Sequence, residues 1–323
     1  MFGTRSDRAC RRSARFAFLA AAFRFAEICV HVSRLSVGDC FRTGVYFRPA
    51  KQSEFPRLIS AVPFQHLFAA CCWSVEGRAM RWILAAVLFY PSLLTWVYFV
   101  ALADAVPVVQ QGAYGVGKAI QFALPLLVLV SAGLKRRRSL ENGSPLPNAV
   151  ALRWGAAFGV AAGGLIWVGA VGWFIPAGLM VEAVGPLRAK LAGFQLDSPG
   201  RFFALAAFYS VVHSGLEEYY WRWFAFAALC GAIRESFPRP TIAAVGAAAG
   251  SSIAFALHHV IVLAQYFGWA SPLTWCFSAA TALGGAFWAW LYHRNGRLLP
   301  VWISHSLVDA ALFAVGYRLV FGS

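Results

Sequence analysis

The chain has 323 residues, of which 60% are hydrophobic and only 13% charged, with a formal net charge of +15. Soluble proteins carry roughly 25% charged residues, so this composition excludes an ordinary water-exposed globular fold, and the mean hydropathy of +0.63 agrees. The positive charge lies between apolar runs rather than on a basic helix with interleaved aromatics. It therefore reads as topology signals at a membrane, not as a nucleic-acid surface.

In chain order, residues 1–79 differ from the rest. They hold 12 of the 28 Lys and Arg, 5 of the 13 acids and five of the seven Cys. They contain no apolar run long enough to span a bilayer. The stretch from Phe16 to Val32 is interrupted by Arg24 and Glu27, as in an interfacial amphipathic or transit-like segment. Met80 stands directly before Arg81 and the first strong apolar run. Translation is expected to start there, with 1–79 a mis-called upstream extension; the alternative reading is a poorly ordered N-terminal extension. A tryptic peptide from 58–78 in the native organism would overturn that expectation.

From Met80 onward, apolar runs of about 20 residues recur, the length an α-helix needs to cross ~30 Å of hydrocarbon. The expected spans are 82–104, 113–134, 150–175, 201–231, 241–266, 272–292 and 298–320. The fold class is therefore all-α: a polytopic transmembrane bundle of about seven spans. Residues 80–199 carry the N-terminal helices and 200–323 the core that holds the site, between the last four helices. Pro91 and Pro125 fall inside spans, where they kink a membrane helix without ending it. Small residues from Ala243 to Ser252 suit close helix packing. The segment from Ile175 to Val184 is expected along the interface. Cys230 and Cys276 read as small buried hydrophobes, and no disulfide is assigned. The run Lys135-Arg136-Arg137-Arg138 places its loop in the cytoplasm by the positive-inside rule. Arg81 and the Arg234/Arg239 and Arg294/Arg297 loops then fall on the same side, as in a bacterial plasma (inner) membrane protein. Arg188, Lys190 and Arg201 fall outside, against the rule.

Only eight acids follow Met80, and three of them lie inside spans: Glu217, Glu218 and Asp309. A charged side chain at mid-membrane costs about 2.5–3.5 kcal/mol on insertion scales, so each is a functional-site candidate by default. Glu218 and Arg222 are four apart and can pair on one helix face. Glu217 is rotated about 100° from that pair and shares its face with His213, one turn earlier. His259 lies in the next span, four after Phe255, and His305 and Asp309 are four apart in the last span. His258 and His293 are read as packing residues. Taken singly, an ion pair or a hydrogen-bonded core histidine explains each residue; together they describe one site.

These types suit peptide hydrolysis, which needs an activated water, an oxyanion donor and a proton for the leaving amine. Glu217 with His259 can hold and deprotonate a water. His305, steadied by Asp309, can donate to the oxyanion, while Arg222 keeps Glu218 ionised. No cofactor is favoured. The alternative is Zn²⁺ on Glu217, His259, His305 and Asp309, although no HExxH is present. Ser214, Ser252 and Ser304 are close by, but none sits in a G-x-S-x-G turn.

Three segments carry a family pattern: Glu217-Glu218-Tyr219-Tyr220-Trp221-Arg222, then Phe255-Ala256-Leu257-His258-His259, then His305-Ser306-Leu307-Val308-Asp309. In order and spacing they resemble the EExxxR, FxxxH and HxxxN/D motifs of the CAAX-protease and bacteriocin-processing (CPBP) family. The lead-in Asn295-Gly296-Arg297-Leu298-Leu299-Pro300 is similar too, and the resemblance covers roughly 200–320. Asp309 stands where many members have Asn, and Trp223 follows Arg222 where Gly is commoner. The resemblance implies a glutamate-type intramembrane endopeptidase with Glu217, Glu218, Arg222, His259, His305 and Asp309 in the matching roles. It implies membrane lipid as surroundings and a protein or peptide substrate, lipidated or not. Within the same family, a non-enzymatic scaffold or bacteriocin-immunity protein is the rival. A transporter would show internal repeats between its halves, and none is found. One tension stands: from their cytoplasmic ends, His259 lies about 18 residues deep and His305 about 7, roughly 27 and 10 Å.

Overall fold

The computed structural model describes residues 71–73, 78–132, 136–138 and 146–322. All of them belong to one compact unit, 64–323. The expected upstream extension, 1–79, therefore lies almost wholly outside the described residues. From it, Cys71–Trp73 forms a short strand (β1) paired antiparallel with β2, Arg136–Arg138.

The remaining regular structure among the described residues is helical. The helices are α1 (Arg78–Trp96), α2 (Pro107–Ala132), α3 (Asn148–Gly169), α4 (Val181–Gly193), α5 (Pro199–Ala207), α6 (Ser214–Glu218), α7 (Ala227–Ser236), α8 (Pro240–Phe267), α9 (Pro272–Asn295) and α10 (Leu298–Phe321). Pro at the first turn opens α5, α8 and α9, where its missing N–H costs nothing. Gly296 closes α9 in the left-handed conformation, φ 75°, with its N–H on the Tyr292 carbonyl. π-Helical stretches extend α1 (Val97–Ala101) and α3 (Ala170–Phe174). Two more, Phe208–His213 and Tyr219–Phe226, join α5, α6 and α7 into one unbroken run.

Five helices are long and apolar enough to cross a membrane: Arg81–Ala101, Pro107–Val130, Asn148–Phe174, Pro240–Phe267 and Leu298–Phe321. Two of the seven expected spans fall short on composition, not on length. The α5–α7 run carries Arg201, Glu217, Glu218, Arg222, Arg234 and Glu235, and α9 ends in Tyr292, His293 and Arg294. The outer faces of the helices are apolar: Val130, Leu165, Val245 and Leu283 all project outward. Such a surface needs lipid rather than water around it, and the chain is an integral multi-pass membrane protein. Cys230 is buried as expected, whereas Cys276 is exposed on the outside of α9, because its position faces away from α8.

The core centres on the stretch between α6 and α7, where Tyr220, Trp221 and Phe224 are buried, with Trp221 packed on Phe255 of α8. Helices α1 and α2 run through Pro91 and Pro125. Pro91 has no N–H to offer the Val87 carbonyl one turn back, and the Tyr220 hydroxyl donates to that carbonyl instead, at 2.6 Å. In α8, Gly246 and Gly250 lie against Ile233 and Leu229 of α7, as the small-residue run implies.

A second small-residue stripe seats the last helix. Ala151, Gly155, Gly159 and Gly163 are buried on one face of α3, against α10. A Cβ on Gly155 would fall 2.2 Å from the Pro300 carbonyl oxygen. One on Gly159 would fall 2.9 Å from both the Leu307 side chain and the Ser304 carbonyl oxygen. Gly164, by contrast, has nothing within 4 Å. Gly159→Leu should therefore cost about 1–3 kcal/mol through forced repacking, read as a fall in thermal stability in detergent. Gly164→Leu should leave stability unchanged; equal effects of the two would refute this helix contact.

Candidate active site

Two π-helical stretches bracket the short helix that bears Glu217 and Glu218. Such stretches widen a helical turn and recur at functional sites. Glu217, Glu218, Arg222, His258 and His305 are all buried away from bulk solvent.

Glu218 organises the cluster. Its Oε2 lies 3.3 Å from Arg222 Nε, the expected i,i+4 pair. Its Oε1 accepts a hydrogen bond from His305 Nδ1 at 2.8 Å. The Arg222 guanidinium sits over the rings of Phe255 and Trp288, at 5.1 and 5.6 Å. Trp288 stacks on His305 at 4.2 Å and donates its indole N–H to Ser304 Oγ. With Nδ1 directed at Glu218, His305 presents Nε2 to Glu217 at 3.8 Å and to Asp309 at 3.5 Å. The short bond that fixes the His305 ring thus comes from Glu218, on another helix, while Asp309 shares the far nitrogen with Glu217.

Glu217 is ringed by imidazoles. His213 Nε2 and His258 Nε2 each lie 3.9 Å from its Oε1. His259 is turned differently: its Nδ1 donates to the Phe255 carbonyl at 2.9 Å, which leaves Nε2 with the lone pair. Its ring lies 4.0 Å from that of His258, within electrostatic reach of Glu217. The packing role expected of His258 is thus too narrow. Trp221 stacks on it at an interplanar angle of 3°, and the His258 Nε2 lies 3.9 Å from Glu217.

The depth tension resolves in the same geometry. Glu217 contacts both α8 and α10, although the two helices start about 11 residues apart in depth, roughly 16 Å by helical rise. Among the described residues, no group of three or more His, Cys, Asp or Glu is disposed to hold a metal ion. Ser214 and Ser304 are engaged in hydrogen bonds to Ser210 and Trp288.

One participant was not expected from sequence. Lys118, on α2, lies over the rings of Tyr114 and Phe122, within electrostatic reach of Glu217, His213, His258 and His259. Its signal was available: a cation inside an apolar span is as costly as an acid and as informative.

Fold and site together define an integral membrane protein with a buried carboxylate–imidazole centre. Residues 199–311 match the family described as type II CAAX prenyl endopeptidase, Rce1-like. The resemblance to the CAAX-protease family is shown over that segment, which holds all six expected site residues. No curated protein and no solved structure gives a significant match.

The Glu218–Arg222 pair yields a stability test. Removing one partner of a fully buried pair leaves an uncompensated charge and costs about 3–5 kcal/mol. Glu218→Ala and Arg222→Ala should each lower thermal stability in detergent sharply, and Glu218→Leu/Arg222→Met should lose much less than the two single changes summed. Additive losses would mean that the two charges do not depend on each other.

Proposed function

We propose that this protein is an intramembrane endopeptidase that hydrolyses peptide bonds of membrane-associated or lipidated proteins with a glutamate-activated water. The observation that carries this reading is the Glu217 carboxylate, buried and facing three imidazoles at 3.8–3.9 Å. Those separations exceed a direct hydrogen bond and suit bridging by water. The match of 199–311 to a CAAX endopeptidase family supports the same chemistry.

In this mechanism the water lies between Glu217 and His259. Its hydrogens point to the Glu217 carboxylate and to the free Nε2 of His259. Glu217 takes one proton as the oxygen attacks the scissile carbonyl. His305, braced by Glu218, donates from Nε2 to the developing oxyanion, and Asp309 stabilises the charge on that imidazole. Glu217 then passes its proton to the leaving amine. Preorganised donors in a site without bulk water are where such stabilisation is largest. Lys118 supplies positive charge that favours ionised Glu217 at membrane depth.

No resident metal is needed for these steps. The Lys135–Arg138 run is assigned to the cytoplasmic side of a bacterial inner membrane, which labelling of single cysteines from either side checks.

The deciding experiment is cleavage of a membrane-peptide library by purified protein in detergent. Glu217→Gln should lower kcat by about 10²–10⁴-fold, the usual worth of a general base, with thermal stability retained. A chelator should leave the wild-type rate unchanged. Chelator-sensitive cleavage would transfer the water to Zn²⁺, and activity that survives Glu217→Gln would end the assignment.

A further inference from the structure

Two imidazoles at the carboxylate have no part in the steps above. His213 and His258 lie outside the EExxxR, FxxxH and HxxxN/D positions. Each nevertheless turns Nε2 to Glu217 Oε1 at 3.9 Å. The other oxygen, Oε2, faces His305 Nε2 at 3.8 Å. The carboxylate therefore has two chemically different sides. His305 and Asp309 mark the Oε2 side, where the oxyanion is held. The tetrahedral carbon carries its oxyanion and its leaving nitrogen on separate corners. With the oxyanion at His305, the Oε1 side is left for the nitrogen. His305 cannot serve both, because its Nε2 proton is committed to the oxyanion.

Packing and exposure separate the two remaining histidines. His258 is closed in by the rings of Trp221, Phe255 and His259, and 8% of its side chain is exposed. His213 is the more open, at 14%, so a substrate nitrogen has access to it. Its ring is set by Tyr209 at 4.7 Å and by the edge of Phe122 at 6.1 Å. The spacing of four along the helix fixes it beside Glu217. Its Nε2 is buried and, among the described residues, has no hydrogen-bond partner. A buried nitrogen in that position calls for a water or a ligand group opposite it.

We propose that His213 is a further catalytic residue, which carries the proton that Glu217 removes from the water to the leaving amine. This rests on the endopeptidase reading and supplies the route of its last proton transfer. In the tautomer that turns its lone pair to the carboxylate, Nε2 accepts the proton from Glu217 Oε1 through one bridging water. The imidazolium gives that proton to the amide nitrogen as the C–N bond breaks and the bonding pair goes to nitrogen. His213 ends neutral, Glu217 ends ionised, and the products are a carboxylic acid and an amine.

The test isolates the leaving group from the rest of the reaction. The peptide that the purified full chain cleaves best in detergent is compared with the same sequence carrying a thioester at the scissile position. A thiolate, whose thiol has a pKa of about 8.5, departs near neutral pH without being protonated; an amine does not. His213→Gln should lower kcat on the peptide by about 10²-fold or more, and on the thioester by less than about 3-fold. Glu217→Gln should lower both, because both need the activated water. The two rates are compared within one preparation, so a loss of folded protein cancels from their ratio, and His213→Asn should give the same ratio. Equal losses on the two substrates would make His213 a packing residue and overturn the proposal. Unchanged peptide cleavage would overturn it too, as would selective sparing of the thioester in His258→Gln but not in His213→Gln. Peptide cleavage that survives Glu217→Gln would instead end the endopeptidase reading, and the proton route with it.

Discussion

Burying Glu218 and Arg222 together is the constraint on which the rest of the structure turns. Each charge is costly away from water, and each is tolerable only while the other and its neighbours stay in place. Arg222 is held over Phe255 of α8 and Trp288 of α9, and Glu218 holds His305 of α10. Four helical elements are thereby registered at one point. The aromatic rings exclude water from the pair and accommodate the guanidinium's flat faces. Glu217, one residue before Glu218 and rotated away from the pair, faces the imidazoles of His213, His258 and His305 instead.

That arrangement tolerates little slack. The glycine face of α3 lets α10, the helix that bears His305, pack closely against it. The Tyr220 hydroxyl ties the same region to α1 by occupying the carbonyl that Pro91 leaves unpaired. Both contacts depend on missing atoms, the Cβ of glycine and the N–H of proline. The site is positioned from behind by helices that hold none of the six expected site residues.

The N-terminal helices do more than scaffold. Lys118 and Lys190 both lie before residue 199, where the family match begins, and both are held by aromatic rings. Lys118 lies within electrostatic reach of Glu217.

The sequence by itself determined the membrane class, the all-helical fold and the pairing of residues on a single helix. Glu218 with Arg222 and His305 with Asp309 follow from a spacing of four, because helical geometry is local. Prolines inside spans and the cost of intramembrane charge were equally legible, since each is a property of a residue and its near neighbours. Only the tertiary structure decided which residues face one another across helices. It assigned the short bond on His305 to Glu218, brought His258 and His213 to Glu217, and set α8 and α10 at the offset that aligns them. It also placed Lys118 against the site. Those outcomes depend on stagger, tilt and ring stacking between helices far apart in the chain, which no local periodicity encodes.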